Sequence, residues 1–133
     1  MAENVVVKET LSESMIKAGA VLTHTLDSLD LPVTASMWFY FPEENQWRLL
    51  LSSPYVVKEG PRRTYRLVQE ALMKLPADAP KINLQDIVVT DESHALISLM
   101  KIAVRTGEST GGVRFSKNVI NGQLIEDAYI YRL

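Results

Sequence analysis

Between Thr10 and about Leu29, the residues Leu11, Met15, Ala18, Leu22, Leu26 and Leu29 recur at steps of three and four, the spacing of a helix with one buried stripe. Thr10 and Glu13 predict its start as a capping box: the threonine side chain accepts from a first-turn amide and the glutamate reaches back to the cap amide. LPVTASMWFYF is rich in β-branched and aromatic residues, PEEN interrupts it, and QWRLLLSS resumes it, so this stretch reads as strand, turn and strand. GPRRTYRLVQEALMKL has Pro61 in a first-turn position, where its missing amide proton costs nothing, and a stripe of Tyr65, Val68, Leu72 and Leu75; it reads as the second helix. PADAPK ends that helix, and DIVVT is a short apolar strand. DESHALISLMKIAVRTG follows as a third helix, capped near Thr90 or Asp91 and stopped near Gly107. Finally, GGVRFSKNVI and QLIEDAYIYR flank Asn121-Gly122, a strong signal for a tight hairpin because a type I′ turn needs positive φ at both central residues.

The order α-β-β-α-β-α-β-β predicts one α+β domain over residues 1–133, with a five-stranded, mostly antiparallel sheet and three helices mainly on one face. A length of 133 residues supports this, being enough for one core and too little for two ordinary domains. The absence of cysteine excludes disulfides and thiolate chemistry and suits a reducing compartment, so the cytoplasm is expected. The start MAENVVVKET shows no secretory pattern, and no stretch reaches the roughly 18 apolar residues of a membrane span, so no membrane partner is expected. A net charge of −2 gives no global attraction to nucleic acid.

The last hairpin can be read face by face. With Asn121 and Gly122 as the turn, Ile120 pairs with Gln123, Ser116 with Asp127, Arg114 with Tyr129 and Val113 with Ile130. Alternation then assigns Val113, Phe115, Lys117, Val119, Leu124, Glu126, Ala128 and Ile130 to a helix-covered face, with Lys117 opposite Glu126. Arg114, Ser116, Asn118, Ile120, Ile125, Asp127, Tyr129 and Tyr131 fall on the other. Glu126 and Asp127 thus point to opposite sides and do not form a catalytic carboxylate pair. In the first hairpin, Met37, Phe39, Trp47 and Leu49 are assigned to the core, leaving Trp38, Tyr40 and Arg48 outward with Thr34 and Ser36. The predicted binding or interface surface is therefore Trp38, Tyr40, Arg48, Arg114, Ser116, Asn118, Asp127, Tyr129 and Tyr131 on an open sheet face.

Three further motifs add little chemistry. GESTG, residues 107–111, matches a nucleophile elbow in letters, but a helix precedes it and a strand follows, the reverse of the required context. His24 and His94 lie too far apart in sequence to suggest a ligand pair, so no metal and no cofactor are predicted, and no catalytic residue is assigned. Arg62 and Arg63 stand in a first helical turn, where free amides and guanidinium groups together suit a small anion.

The stretches SSPYVVKEGPRRTYRLVQEAL and RFSKNVINGQLIEDAYIYRL resemble a group of small bacterial proteins of unknown function, over most of the chain after Pro32. The resemblance implies a bacterial, cytosolic domain and carries no catalytic residue across. The functional expectation is a non-catalytic binding or protein-interaction module that uses the open sheet face to form a homodimer. The alternative is an enzyme acting on a phosphorylated or nucleic-acid substrate.

Overall fold

The structure, a computed structural model, describes residues 7–104 and 112–133. In chain order these form α1 (Glu13–Ser28), β1 (Ala35–Phe41), β2 (Gln46–Ser52), α2 (Tyr55–Glu59), α3 (Pro61–Met73), β3 (Ile87–Thr90), α4 (Ala95–Ala103), β4 (Val113–Ile120) and β5 (Gln123–Arg132), with a single 3₁₀ turn, Leu84–Asp86, before β3. The fold is α+β. Its open sheet runs β3-β2-β1-β5-β4, with β1 at the centre. The β1–β2, β1–β5 and β4–β5 pairs are antiparallel. β3 lies parallel to β2, which makes the sheet mixed. A parallel neighbour needs a long crossover, and α2 and α3 supply it.

Helix boundaries differ from the sequence reading where a neighbouring side chain competes. α1 is capped by Ser12, whose hydroxyl accepts from the Met15 amide at 3.1 Å, and not by Thr10. The chain before Ser12 is already engaged with the first hairpin, so it does not enter the helix. α4 is capped by His94, whose Nδ1 accepts from the Leu96 amide, because Asp91 spends its carboxylate on a local turn with the Ser93 amide. α2, unforeseen from YVVKE, is set apart from α3 by Gly60 at φ +90°. α4 ends at Ala103, with Val104 already extended, short of the predicted stop near Gly107, and the GESTG motif lies outside the described residues.

The helices lie on both faces of the sheet, with α1 and α3 on one and α4 on the other. The connection after β1 holds four residues, Pro42 to Asn45, between the paired Phe41 and Gln46. An even loop opposes even positions to odd ones: Trp38 faces Leu49 and Tyr40 faces Trp47 on one side, while Met37 faces Leu50 and Phe39 faces Arg48 on the other. This corrects the expected outward set. Trp38, Tyr40 and Tyr131 are buried beneath α1 and α3, so the face expected to be open is a covered one. α4 covers the opposite side with Ile97 and Met100 against Met37, Phe39, Leu50 and Ile130.

Burying those aromatics is feasible because α1 satisfies their polar atoms. Trp38 Nε1 donates to the Met15 carbonyl at 3.0 Å, and the Tyr131 hydroxyl donates to the Ile16 carbonyl. Thr23 and Ser36 add a buried hydroxyl–hydroxyl bond of 2.7 Å between α1 and β1. Such close approach needs a residue without a side chain, and Gly19 provides it. A Cβ there would sit 2.7 Å from Trp38 Nε1 and collide with Tyr131.

The second hairpin keeps its predicted register and its turn, with Asn121 at φ 49° and Gly122 at φ 78°. Its faces do not alternate throughout, however. Lys117 adopts φ 48°, a left-handed conformation that turns the strand without slipping the register. Beyond this point Ile120 and Ile125 join Ala128 and Ile130 in the α4-side core, while Val119 and Leu124, expected to be covered, are turned out to solvent.

Gly19→Ala is predicted to lower stability despite favouring the helix. Overpacking costs about 1–3 kcal/mol, against about 1 kcal/mol regained from helix propensity. Urea unfolding checks this, and adding Tyr131→Phe should recover part of the loss by removing the atom the new methyl meets.

Candidate functional site

Asp127 is the one buried carboxylate among the described residues, with 4% of its surface exposed. β5 points it to the α1 side of the sheet, where three partners converge. Arg114 on the neighbouring strand donates from Nε and from a terminal nitrogen, one bond to each carboxylate oxygen, both at 2.7 Å. Ser116 Oγ donates to Oδ1 at 2.8 Å, and Lys8 Nζ donates to Oδ2 at 2.9 Å. Burial alone would push the carboxyl's pKa up. The bonds from Arg114, Lys8 and Ser116 outweigh it and hold the group well below the usual carboxylate range. The same bond raises the Arg114 guanidinium above its already high value.

Aromatic rings flank the two cations. Lys8 Nζ lies 4.8 Å from the Tyr40 ring centre and 5.9 Å from that of Trp47, and the Arg114 guanidinium lies 5.6 Å from Trp47. Cations over aromatic faces in a partly desolvated place gain roughly 0.5–2 kcal/mol each. The segment carrying Lys8 is held through its main chain as well. Asn45, at φ 49° in the β1–β2 turn, accepts from the Glu9 amide at 2.8 Å and donates to the Val7 carbonyl at 2.9 Å. Trp47 Nε1 donates to the Glu9 carbonyl at 2.9 Å, and the Tyr40 hydroxyl fixes Asn45 by donating to its Oδ1 at 2.6 Å. A cleft of about 200 Å³ remains beside these groups.

Chemically, this carboxylate is a counter-charge. Its oxygens accept four bonds, about the capacity of an ionised carboxylate, and it carries no proton near neutral pH to transfer. The constellation holds cations and positions a main chain.

Of the residues picked out from sequence, Arg114, Ser116, Asp127 and Tyr40 come together here. Trp38 and Tyr131 belong to the α1 contact, and Tyr129 packs edge-on against Tyr131 at 5.3 Å, half-buried. Arg48 lies on the α4 side and donates to the Gln85 carbonyl and to Glu44. Asn118 is exposed and bonds the Ser116 carbonyl. Arg62 and Arg63 are exposed at the start of α3, where Arg63 already has a carboxylate partner, Glu59, at 3.3 Å. Sequence reasoning missed Lys8 and Asn45; it placed Trp47 in the core, where it is buried, but grouped it with Met37 and Phe39, not with Tyr40. Asn45 ends an otherwise acidic PEEN turn, and its type tolerates left-handed backbone, which was the available signal.

No helix among the described residues is long and apolar enough to cross a membrane, and no group of three histidine, cysteine or acidic side chains among them converges as a metal site would. No protein-family model, curated protein or solved structure matches the chain.

Asp127→Asn is predicted to cost about 2 kcal/mol at neutral pH, because it weakens charge-assisted bonds while Arg114 and Lys8 can still reach water. The folded carboxyl has a lower pKa than the unfolded one, so this stabilisation is full above about pH 4 and is lost as pH falls through the folded value. The stability gap between wild type and variant should therefore shrink on acidification, measured by urea unfolding across a pH series. Glu126→Gln should stay within about 0.5 kcal/mol of wild type.

Proposed function

We propose that this protein is a non-catalytic interaction module that pairs with a second copy of itself through the β4 edge and its hairpin tip. One observation carries the reading. β4 is an outer strand of eight residues, and on its hairpin Val113, Val119 and Leu124 are 39, 67 and 60% exposed. Val119 and Leu124 face each other across the ladder and form one apolar patch at the tip. The opposite edge differs: β3 has four residues, and its Val89 amide donates to the Tyr65 hydroxyl at 3.0 Å. Among the described residues no strand pairs with the outer side of β4, and of the two edges it is the longer one to offer a partner strand.

Lys117 restricts how two edges meet. Directly opposed lysines would repel, so the two-fold axis of an antiparallel pairing lies away from it, toward Val119. An interaction role is preferred over catalysis on a phosphorylated or nucleic-acid substrate because Asp127 is fully engaged by its three partners. A bacterial cytoplasm fits the cysteine-free composition and the resemblance to small bacterial proteins.

Sedimentation equilibrium should show wild-type dimer at about 100 μM or below, the range of a weak specific contact. Val119→Asp and Leu124→Asp should each give monomer with an unchanged melting temperature, since both side chains are already in water. A wild-type monomer throughout that range, or a dimer indifferent to both changes, refutes the reading.

A further inference from the structure

Residues 7–9 are bound to the body of the protein as a peptide ligand is bound to a receptor. Their main chain makes three hydrogen bonds, all to side chains: the Val7 carbonyl and Glu9 amide to Asn45, and the Glu9 carbonyl to Trp47 Nε1. The side chains of Val7 and Glu9 stay exposed and are not read. The side chain of Lys8 is read, by the Asp127 carboxylate and the rings of Tyr40 and Trp47. Main-chain bonds for affinity and one side-chain pocket for specificity are the two components of extended-peptide recognition.

Much of the receptor side is held by contacts that do not involve the segment. Asp127 keeps two bonds from Arg114 and one from Ser116 when Lys8 leaves, so no buried charge is orphaned. Asn45 keeps its bond from Tyr40, and Trp47 keeps Arg114 over its ring. A preorganised site of this kind loses little ordering entropy on binding. Without the segment, Trp47 Nε1 and the Asn45 amide nitrogen need an acceptor, which a second main chain would supply.

We infer that Tyr40, Asn45, Trp47 and Asp127 form a binding site for a lysine-bearing peptide segment of a partner protein, and that residues 7–9 occupy it as a built-in competitor. The ligand presents one lysine, with a free carbonyl before it and a free amide after it. Tethering gives the internal segment an effective concentration on the order of millimolar, so an outside peptide binds weakly until the segment is displaced. The site lies on a face of the sheet and not at the hairpin tip formed by Val119 and Leu124, and the inference does not depend on self-association.

The test uses the full chain carrying Lys8→Glu, which sets two carboxylates against each other and lifts the segment, and Lys8→Ala as the milder form. The probe is a blocked synthetic peptide with the sequence of residues 4–11, followed by the indole N–H resonance of Trp47 and by calorimetry. Both variants should bind it at least tenfold more tightly than wild type does. Replacing the peptide's lysine by glutamate, or adding Asn45→Asp to the variants, should weaken binding by at least fivefold. Thermal melts confirm that the chains tested are folded, and Lys8→Ala keeps the experiment decisive if Lys8→Glu is not. Absence of binding to folded Lys8→Ala at millimolar peptide, or equal binding of the lysine and glutamate peptides, overturns the inference and leaves residues 7–9 as a structural strap.

Discussion

The contact between α1 and the middle of the sheet determines where everything else lies. Trp38 from β1 and Tyr131 from β5 are buried under α1 with their polar atoms on the carbonyls of Met15 and Ile16, and Gly19 lets the surfaces meet. Burial also pushes the Tyr131 hydroxyl's pKa well above the ordinary tyrosine value, so it stays a donor under all ordinary conditions. With α1 seated there, Ser12 caps its first turn and Leu11 is buried in the core beside it. The preceding residues then run along the first hairpin, where Asn45 and Trp47 hold the main chain of Val7 and Glu9. The meeting of Lys8 with Asp127, 119 positions away in sequence, follows from that seating.

Much of this arrangement was legible in the sequence, and the failures share a cause. Helical periodicity gave α1, α3 and α4, and Asn121-Gly122 gave both the turn and the register of the last hairpin, because these signals are local. Which face a strand turns inward is not local. The four-residue connection after Phe41 already required Trp38 to share a side with Leu49, so that error was avoidable from parity alone. The left-handed Lys117 was not foreseeable, since nothing in its residue type demands that conformation.

The candidate site was half legible for the same reason. The pairing of Ser116 with Asp127 and the closeness of Arg114 came directly from hairpin register. Lys8, Asn45 and Trp47 belong to other segments, joined only by tertiary packing. A tyrosine or tryptophan in a strand gives no sign of its side, because it brings a large apolar area and one polar atom, and either environment can satisfy it. Here the helix carbonyls and the main chain of Glu9 decide the matter in favour of burial.

The position of β5 has a consequence for synthesis. The strand nearest the carboxyl end is an inner strand, held between β1 and β4, and its partners in β1 were made some 90 residues earlier. Until β5 is made, β1 and β2 can pair, but the side of β1 that will receive β5 stays open. Tyr131, which seals α1 onto the sheet, is made some 90 residues after Trp38, its neighbour at that contact. α1 and the first hairpin are thus made well before the strand that closes the sheet, and β1 keeps one unpaired side until β5 follows.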